Sequence, residues 1–170
     1  MKLSIITAVK NSVTTIEDCI RSVSSQSYNN IEHIIIDGGS TDGTLDVIKK
    51  YTEYVAKIIS EPDNGIYDAL NKGIRLASGD IIGILHADDV YADNKVIETV
   101  VKIMSDNNVD SCYGDLVYVD RNGVNRIIRY WVAGDYLKEK FRRGWMPPHP
   151  TFFVRSKFMR NLVFLILVFF

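Results

Sequence analysis

The sequence predicts an α/β protein with a mostly parallel central sheet that is covered by helices on both faces. Two observations lead to this prediction. Short, almost continuous apolar segments alternate along the chain with amphipathic helical patterns, which is typical of parallel strands buried on both faces. The chain has 170 residues, 46% of them hydrophobic, which is enough for one domain with a core. Its 11 glycines and 4 prolines exclude collagen-like and disordered classes.

Four apolar segments predict the strands of this sheet, in the order Leu3–Val9, Ile31–Asp37, Val55–Ser60 and Ile81–Leu85. Apolar stripes at helical spacing separate or follow them, over Thr14–Ser25, Thr44–Tyr54, Ile66–Ala77 and Lys95–Met104. The pair Ser78-Gly79 ends the third helix in the manner of a C-cap. A fifth strand is expected at Ser111–Val119. The polar turn that follows it favours a hairpin return through Val124–Trp131.

The two cysteines, Cys19 and Cys112, lie in apolar surroundings. A disulfide framework is therefore not expected, which favours a reducing, cytoplasmic environment. The first residues lead directly into the first strand, so we expect no signal peptide.

The net charge of −1 conceals a strong asymmetry. Residues 1–120 carry 10 Lys and Arg against 19 Asp and Glu, whereas residues 121–160 carry 10 against 2. Aromatic residues alternate with the basic ones, and this pattern favours peripheral contact with an anionic membrane or a lipid-phosphate acceptor. A solvated basic face is an equal alternative, and nucleic acid is not expected because the remaining chain is acidic. The basic residues concerned are Arg121, Arg126, Arg129, Lys138, Lys140, Arg142 and Arg143.

Residues 161–170 carry no charge, and the segment from Leu162 to Phe170 is wholly apolar. A membrane-spanning helix needs about 20 apolar residues, so this segment is too short to span a bilayer. We expect it to be a stretch of chain that lacks its packing partners.

An acid pair, Asp88-Asp89, directly follows the fourth predicted strand. In parallel sheets ligands bind beyond the carboxyl ends of the strands, and Mg²⁺ and similar cations prefer oxygen ligands together with substrate phosphates. The pair is therefore a candidate site for a metal that bridges to a diphosphate. The alternative is that the two acids only solvate a loop before the helix that begins near Asn94.

Two further polar segments follow the second and third strands. Asp37 to Thr44 is rich in glycine, and a carboxylate there suits the imide N–H of uracil, although a simple capped turn is an equal alternative. In the segment Glu61 to Gly73, the side chains of Asp68, Asn71 and Lys72 share one helical face, which is either a ribose or phosphate contact or a solvated face. The chain has neither a dinucleotide fingerprint nor a phosphate-binding loop motif.

These segments in this order resemble glycosyltransferase family 2, whose members have the GT-A nucleotide-sugar-binding fold, a three-layer α/β/α arrangement. The matching segments are Ser4 to Asn11, Ile36 to Thr44, Asp63 to Gly73 and Ala77 to Asp89. Two positions depart from the family pattern: Gly38 stands where many members have a second Asp, and His86 where Asp or Asn is commoner.

The resemblance implies a donor site built by residues 1–120. It assigns nucleotide-sugar binding to Thr7, Ala8, Asn11, Asp37, Gly39, Ser40, Asp63, Gly65, Asp68, Asn71, Lys72, His86 and Asp88. Asp89 is implied as the ligand of a divalent cation, Mn²⁺ or Mg²⁺. Residues 121–160 are then a partial acceptor-side region, and 161–170 an apolar tail of a chain that we expect to be truncated.

The implied reaction is inverting transfer from a nucleotide-sugar, usually a UDP-sugar, to a glycan or lipid-linked acceptor in polysaccharide or cell-envelope glycan biosynthesis. An acceptor hydroxyl attacks the anomeric carbon, a carboxylate base takes its proton, and the bond to the diphosphate breaks as the metal stabilises the departing diphosphate. The family's acidic motif is missing after Glu139, so Asp115 is the remaining candidate base, with a structural role equally open. His149 is expected near the acceptor or the donor phosphates, or as a loop residue.

Two alternatives remain for the function. One is an inactive relative that only binds UDP or a UDP-sugar. The other is a nucleotidyltransferase, which is disfavoured because no glycine-rich nucleotide loop follows the first strand.

Overall fold

A computed structural model, described over residues 1–120 and 123–159, contains a central sheet of six strands in the order β3-β2-β1-β4-β8-β5. Strands β1 to β4 are parallel to one another, and β8 runs antiparallel to both of its neighbours. The prediction of a mostly parallel sheet is confirmed. The strands are β1 (Leu3–Val9), β2 (Ile31–Asp37), β3 (Lys57–Ser60), β4 (Ile81–Ile84), β5 (Ser111–Cys112) and β8 (Phe153–Arg155).

Helices cover both faces of this sheet, so the predicted three-layer arrangement is confirmed. Alternate residues of β1 point to opposite faces, with Ile5 packing on one side and Ile6 on the other. The first side is covered by α1 (Ile16–Ser24), α2 (Thr44–Lys49) and α4 (Val96–Asp106), and the second by α3 (Ile66–Leu76). All seven residues of β1 are buried, which explains why this strand reads as a continuous apolar segment.

The predicted fifth strand is wrong in extent. Instead of one strand over Ser111–Val119, the chain forms the short β5 and then β6 (Leu116–Asp120), which belongs to a separate two-stranded sheet. The chain turns away from the main sheet at Gly114, whose carbonyl accepts a hydrogen bond of 2.8 Å from the Thr151 hydroxyl. The predicted hairpin is confirmed, because β6 pairs with β7 (Gly123–Trp131).

Strand β8 was not expected from the sequence. It inserts between β4 and β5, and Gly83 of β4 makes room for it: a Cβ at this position would lie 2.6 Å from the Phe153 ring. The side chain of Phe153 is only 2% exposed. The space that a side chain of residue 83 would occupy is therefore filled by an aromatic ring from a distant part of the chain.

The segment after the hairpin contains α5 (Lys138–Arg142) and a 3₁₀ turn at His149–Thr151. Among the described residues, no helix combines the length and the apolar character needed to cross a membrane. The expectation for the apolar segment 161–170 and the assignment of Arg121 to the basic stretch lie outside the described residues. Cys19 and Cys112 are both free thiols, as expected.

Candidate functional site

A cleft of about 550 Å³ lies at the carboxyl ends of the parallel strands. Its walls come from the loop after β1, the start of α3 with the loop before it, and the loop after β4. Because the strand order is β3-β2-β1-β4, the loop after β1 lies in the middle, between the other two. The residues that line it are Ala8, Val9, Lys10, Asn11, Ser12, Thr14, Thr15, Asp63, Gly65, Ile66, Ala69, His86, Ala87 and Asp88.

The loop after β1 is fixed to the loop after β2 by hydrogen bonds in both directions. The N–H of Asn11 donates to the Ser40 hydroxyl at 2.8 Å, and the Asn11 side-chain oxygen accepts from the N–H of Thr41 at 2.9 Å. The N–H of Ser12 donates to the Thr44 hydroxyl at 2.8 Å. Asn11 itself has a φ of 52°, a left-handed conformation that asparagine tolerates better than most residues. The two loops therefore form one rigid wall.

The carboxylate of Asp37 fixes the conformation of the loop after β2. This carboxylate is fully buried and accepts hydrogen bonds from the N–H groups of Gly39 (3.1 Å) and Ser40 (3.0 Å). The hydroxyls of Ser40 and of Ser60 (2.7 Å) also donate to it. Asp37 is not among the residues that line the cleft. The same holds for Thr7, which is fully buried with its hydroxyl 2.9 Å from the His33 Nε2 atom.

Asp63 lies in the cleft, directly against Gly38. A Cβ built on Gly38 would come within 2.3 Å of the Asp63 Oδ2 atom, so only glycine leaves room for this carboxylate. The other oxygen, Oδ1, accepts a hydrogen bond of 3.0 Å from the Gly65 N–H. Asp63 is half-buried and lines the end of the cleft that is formed by the loop after β3.

The predicted polar face of α3 divides into two parts. Lys72 pairs with Glu61 at 2.9 Å and with Asp68 at 3.3 Å, and these pairs hold the loop after β3 against the helix. Asp68 also accepts from the N–H of Asn64 at 3.1 Å. Asn71 is only 1% exposed, and neither atom of its amide has a hydrogen-bond partner among the described residues. None of these three face residues lines the cleft.

The opposite end of the cleft is lined by Asp88 and His86, while Asp89 and His149 lie next to these residues and do not line it. Burial raises the pKa of Asp89, and the neighbouring Asp88 carboxylate raises it further, while His149 counteracts them. Burial also lowers the pKa of His86, as does His149, whereas Asp88 opposes this shift. The His86 Nδ1 atom is buried without a hydrogen-bond partner among the described residues. Asp88 is exposed, and its side chain lines the cleft.

The side chains at this end fit a divalent cation whose coordination shell is completed by the oxygens of a phosphate. A cation would offset the raised pKa of Asp89, because it stabilises the charged carboxylate. In the part of the chain that the structure describes, no three His, Cys, Asp or Glu side chains are grouped closely enough to hold an ion by themselves. Mg²⁺ is commonly held by only one or two carboxylates, with substrate phosphates and water completing the shell.

Asp115 lies in the connection between β5 and β6. Its carboxylate accepts hydrogen bonds from the Ala133 N–H at 2.9 Å and from the Tyr130 hydroxyl at 3.4 Å. These contacts tie the two ends of the hairpin together. Asp115 is exposed and does not line the cleft.

The structure thus brings six of the predicted residues to the cleft: Ala8, Asn11, Asp63, Gly65, His86 and Asp88. Sequence reasoning missed Lys10, Ser12, Thr14 and Thr15, which continue the loop after β1, and also Ile66 and Ala69 on α3. Their position after a strand or at a helix start is the signal that could have identified them. His149 lies beside His86, with the two ring centroids 4.8 Å apart.

Comparison with known proteins gives a consistent result. The model of glycosyl transferase family 2 matches residues 4–165. A relative named PGL/p-HBAD biosynthesis glycosyltransferase, from Mycobacterium bovis, is 31% identical over 145 residues, which is 83% of this chain and 55% of that protein. The chain spans between 38% and 55% of the length of such curated relatives.

Two solved structures share the fold. TarS from S. aureus, residues 1–349 in complex with UDP-GlcNAc, has a TM-score of 0.73 at 17% identity, with 95% of this chain and 47% of that chain covered. The mannosyltransferase PcManGT from Pyrobaculum calidifontis, in complex with GDP-Man and Mn²⁺, has a TM-score of 0.71 at 19% identity, with 95% and 46% covered. These likenesses confirm the predicted GT-A fold.

Proposed function

The chain belongs to glycosyl transferase family 2, and from this membership we propose that it transfers a sugar from a UDP-sugar to a glycan or lipid-linked acceptor, with inversion, in polysaccharide or cell-envelope glycan synthesis. The observation that carries the proposal is the cleft, which is lined by Asp88 of the acid pair at one end and by Asp63 at the other. One fold neighbour is a complex with UDP-GlcNAc, which supports a UDP-sugar as the donor. The M. bovis relative is named as a glycosyltransferase, which supports sugar transfer as the reaction.

A nucleoside diphosphate fits this cleft in one direction. The diphosphate belongs at the end of β4, where Asp88, Asp89 and the two histidines can share a cation with it. The nucleoside then extends past the loop after β1 towards the ends of β2 and β3. The pKa of His86 is lowered, so its ring carries no positive charge near pH 7 that would compete with a cation.

A divalent cation would be held by Asp89, with Asp88 and His149 beside it. The fold neighbour PcManGT is a complex with Mn²⁺, which supports this assignment. When bound, such a cation supplies stabilisation of the negative charge on a leaving diphosphate. The protein itself contributes a rigid wall, the fixed loops after β1 and β2, against which a nucleoside is oriented.

For the transfer step, Asp115 remains our candidate base for the acceptor hydroxyl. A specific observation favours a second function, in which the chain binds the donor without transferring it. The Asp115 carboxylate already accepts bonds from Ala133 and Tyr130, and the carboxylates that line the cleft are those of Asp63 and Asp88. A binding protein of this kind holds UDP-sugars but releases no UDP.

Release of UDP separates the two functions. The purified protein is incubated with Mn²⁺, a bacterial lipid and glycan extract that supplies acceptor hydroxyls and, in turn, UDP-glucose, UDP-galactose and UDP-GlcNAc, and free UDP is measured over time. A transferase releases UDP faster than an Asp88→Asn variant does, whereas Asp106→Asn, an exposed carboxylate on α4, is the matched control and leaves release unchanged. UDP-sugar binding without release favours the second function, and the absence of both contradicts the proposal.

Peripheral contact with a membrane is part of this proposal, because a lipid-linked acceptor resides there. We define the basic aromatic surface as α5 with its neighbours Tyr136, Arg143 and Trp145. Tyr136 and Phe141 are more than half exposed, and the rings of Phe141 and Trp145 lie 6.4 Å apart. Among the described residues, no ion pair neutralises the four basic side chains, which are Lys138, Lys140, Arg142 and Arg143. Exposed aromatic rings beside unpaired cations are typical of surfaces that bind anionic bilayers.

A further inference from the structure

We propose that Asp63 is the residue that recognises the nucleobase of the donor, by accepting a hydrogen bond from the imide N–H of uracil. This inference rests on the proposed function, since it assigns a residue to the nucleoside end of the same cleft. It moves base recognition from the end of β2, where the sequence places it at Asp37, to the end of β3.

The acceptor positions of the Asp37 carboxylate are already occupied by hydrogen bonds within the protein. This buried carboxylate accepts bonds from two backbone N–H groups, of Gly39 and Ser40, and from two hydroxyls, of Ser40 and Ser60. A carboxylate has about four acceptor positions, so these bonds use its capacity. Asp37 therefore shapes the loop after β2 and has no acceptor left for a ligand.

The carboxylate of Asp63 packs directly against Gly38. The Asp63 Oδ2 atom occupies the space beside the Gly38 Cα atom, 2.3 Å from where a Cβ would stand. Any side chain on residue 38 would have to displace this carboxylate. In this chain the missing side chain and the Asp63 carboxylate thus complement each other.

The loop that carries Asp63 is held in place by hydrogen bonds and an ion pair. The Gly65 N–H donates to Asp63 Oδ1 at 3.0 Å, which leaves acceptor positions on Oδ2 free. Behind it, Lys72 bonds the Pro62 carbonyl at 3.4 Å and pairs with Glu61 at 2.9 Å. Lys72 is accordingly a positioning residue for Asp63. A fixed acceptor in a half-buried position discriminates between ligands better than a mobile one.

The chemistry of the bases gives the specificity. Uracil carries an N–H at position 3, which a carboxylate accepts, whereas cytosine has an acceptor nitrogen there and would face the carboxylate with a repulsive lone pair. A guanine base also carries an N–H on this edge but is larger. A charged hydrogen bond gained in one case and a repulsion in the other predict a preference for UDP over CDP of at least about 30-fold.

The test compares the binding of UDP, CDP and GDP to the full chain by calorimetry in the presence of Mn²⁺. In Asp63→Asn the amide can donate to cytosine N3, so we expect UDP to bind about tenfold more weakly and the ratio of UDP to CDP affinity to fall at least tenfold. Gly38→Ala should lower that ratio as well, because its methyl group displaces Asp63. The matched control is Asp46→Asn, a 78% exposed carboxylate on α2, which should leave all three affinities unchanged.

The outcomes separate this inference from the proposed function. If the wild type prefers UDP and Asp63→Asn keeps the same ratio while its circular dichroism spectrum is native, Asp63 does not recognise the base. A stronger preference for GDP than for UDP in the wild type also contradicts the assignment to uracil. If the wild type binds no nucleotide, the proposed function itself fails. Asp37→Asn serves as a second comparison, since a loop-organising role predicts equal weakening of UDP and CDP.

Discussion

The ring of His149 lies edge-on to the ring of His86, with the two centroids 4.8 Å apart. This contact joins the loop after β4, which carries the acid pair, to the 3₁₀ turn before β8, which is more than 60 residues further along the chain. It therefore brings a basic nitrogen from the C-terminal part of the described chain to the carboxylates at the end of the cleft. We expect His149 to help hold a cation together with the diphosphate.

The first prediction concerns this histidine. His149→Ala should weaken binding of Mn²⁺ in the presence of UDP by about tenfold, because an imidazole nitrogen that can bind the cation is lost. Electron paramagnetic resonance of free Mn²⁺ measures this affinity directly. Lys157→Ala, a mostly exposed basic residue in the same part of the chain, is the control. Equal Mn²⁺ affinity in His149→Ala and wild type would contradict a role for His149 at the metal.

The second prediction concerns Glu32, which lies near the start of β1, at the end of the parallel strands that is opposite the cleft. Burial of this carboxyl opposes its ionisation, but hydrogen bonds from Lys2, Ser4 and Ser78 outweigh burial and lower its pKa to about 2. Since the pKa is lower in the folded state than the ordinary 4.5, its stabilising contribution is complete above about pH 4.5 and is lost as the pH falls towards 2. The shift corresponds to roughly 3 kcal/mol at most.

Glu32→Gln should therefore lower the free energy of unfolding at pH 7 by about 2–3 kcal/mol. It should also flatten the dependence of stability on pH between about 4.5 and 2. Urea denaturation at a series of pH values measures both effects. Asp106→Asn is the control for loss of an exposed carboxylate. An unchanged acid dependence in Glu32→Gln would show that Glu32 does not stabilise this edge of the sheet.

The third prediction concerns His33, beside Glu32 on β2. Burial alone lowers the pKa of His33 from 6.5 to about 4, so the folded state favours the neutral ring. Its stabilising contribution is thus complete above about pH 6.5 and is lost as the pH falls through that value towards 4. His33→Gln should remove the fall in stability between these two pH values while leaving the Glu32 effect below it. A wild-type stability that stays constant from pH 7 to 5 would contradict this.

The fourth prediction tests the packing of β8 on β4. Gly83→Ala should destabilise the fold by about 1–3 kcal/mol, because its methyl group would lie 2.6 Å from the Phe153 ring and 3.1 Å from Ile5. Gly114→Ala is the matched control, since a Cβ there meets nothing within 4 Å. Thermal denaturation should show a lower Tm for Gly83→Ala only. Equal Tm values for the two variants would mean that β8 is not packed against Gly83.

The fifth prediction concerns the basic aromatic surface. The protein should cosediment with vesicles that contain phosphatidylglycerol and not with pure phosphatidylcholine vesicles, and added salt should weaken the association. Replacing Lys138, Lys140, Arg142 and Arg143 by Glu should reduce binding by about a thousandfold, because each of the four charges contributes about 1 kcal/mol. The control replaces Lys49 and Lys50 by Glu on α2. Equal binding of both variants, or of both vesicle types, would assign the surface to another partner.

The sequence patterns predict the parts of the fold that local chemistry determines. Strands β1 and β2 are buried on both faces, so their apolar segments have the observed bounds. Strand β8 has only three residues, and its place beside β4 depends on Gly83, far away in the chain, so no local pattern indicates it. The chain leaves the sheet after β5 because Thr151 holds Gly114, which is again a distant contact.

The candidate site shows the same limit. The sequence locates the strand ends and therefore the cleft, but it does not tell which carboxylate faces a ligand. Asp37 points into its own loop because Ser60, on the neighbouring strand, donates to it. Asn71 looks like part of a polar helical face, yet it is buried by tertiary packing. The complementarity of Gly38 and Asp63 becomes visible only when the two loops are placed side by side.

The most direct test of the account is a calorimetric titration of the protein with UDP, with and without Mn²⁺, in the wild type and in Asp89→Asn. A donor site with a shared cation predicts that Mn²⁺ tightens UDP binding at least about tenfold in the wild type and has no effect in the variant. UDP binding that is the same in all four titrations would contradict the assignment of the cleft as a metal-assisted donor site.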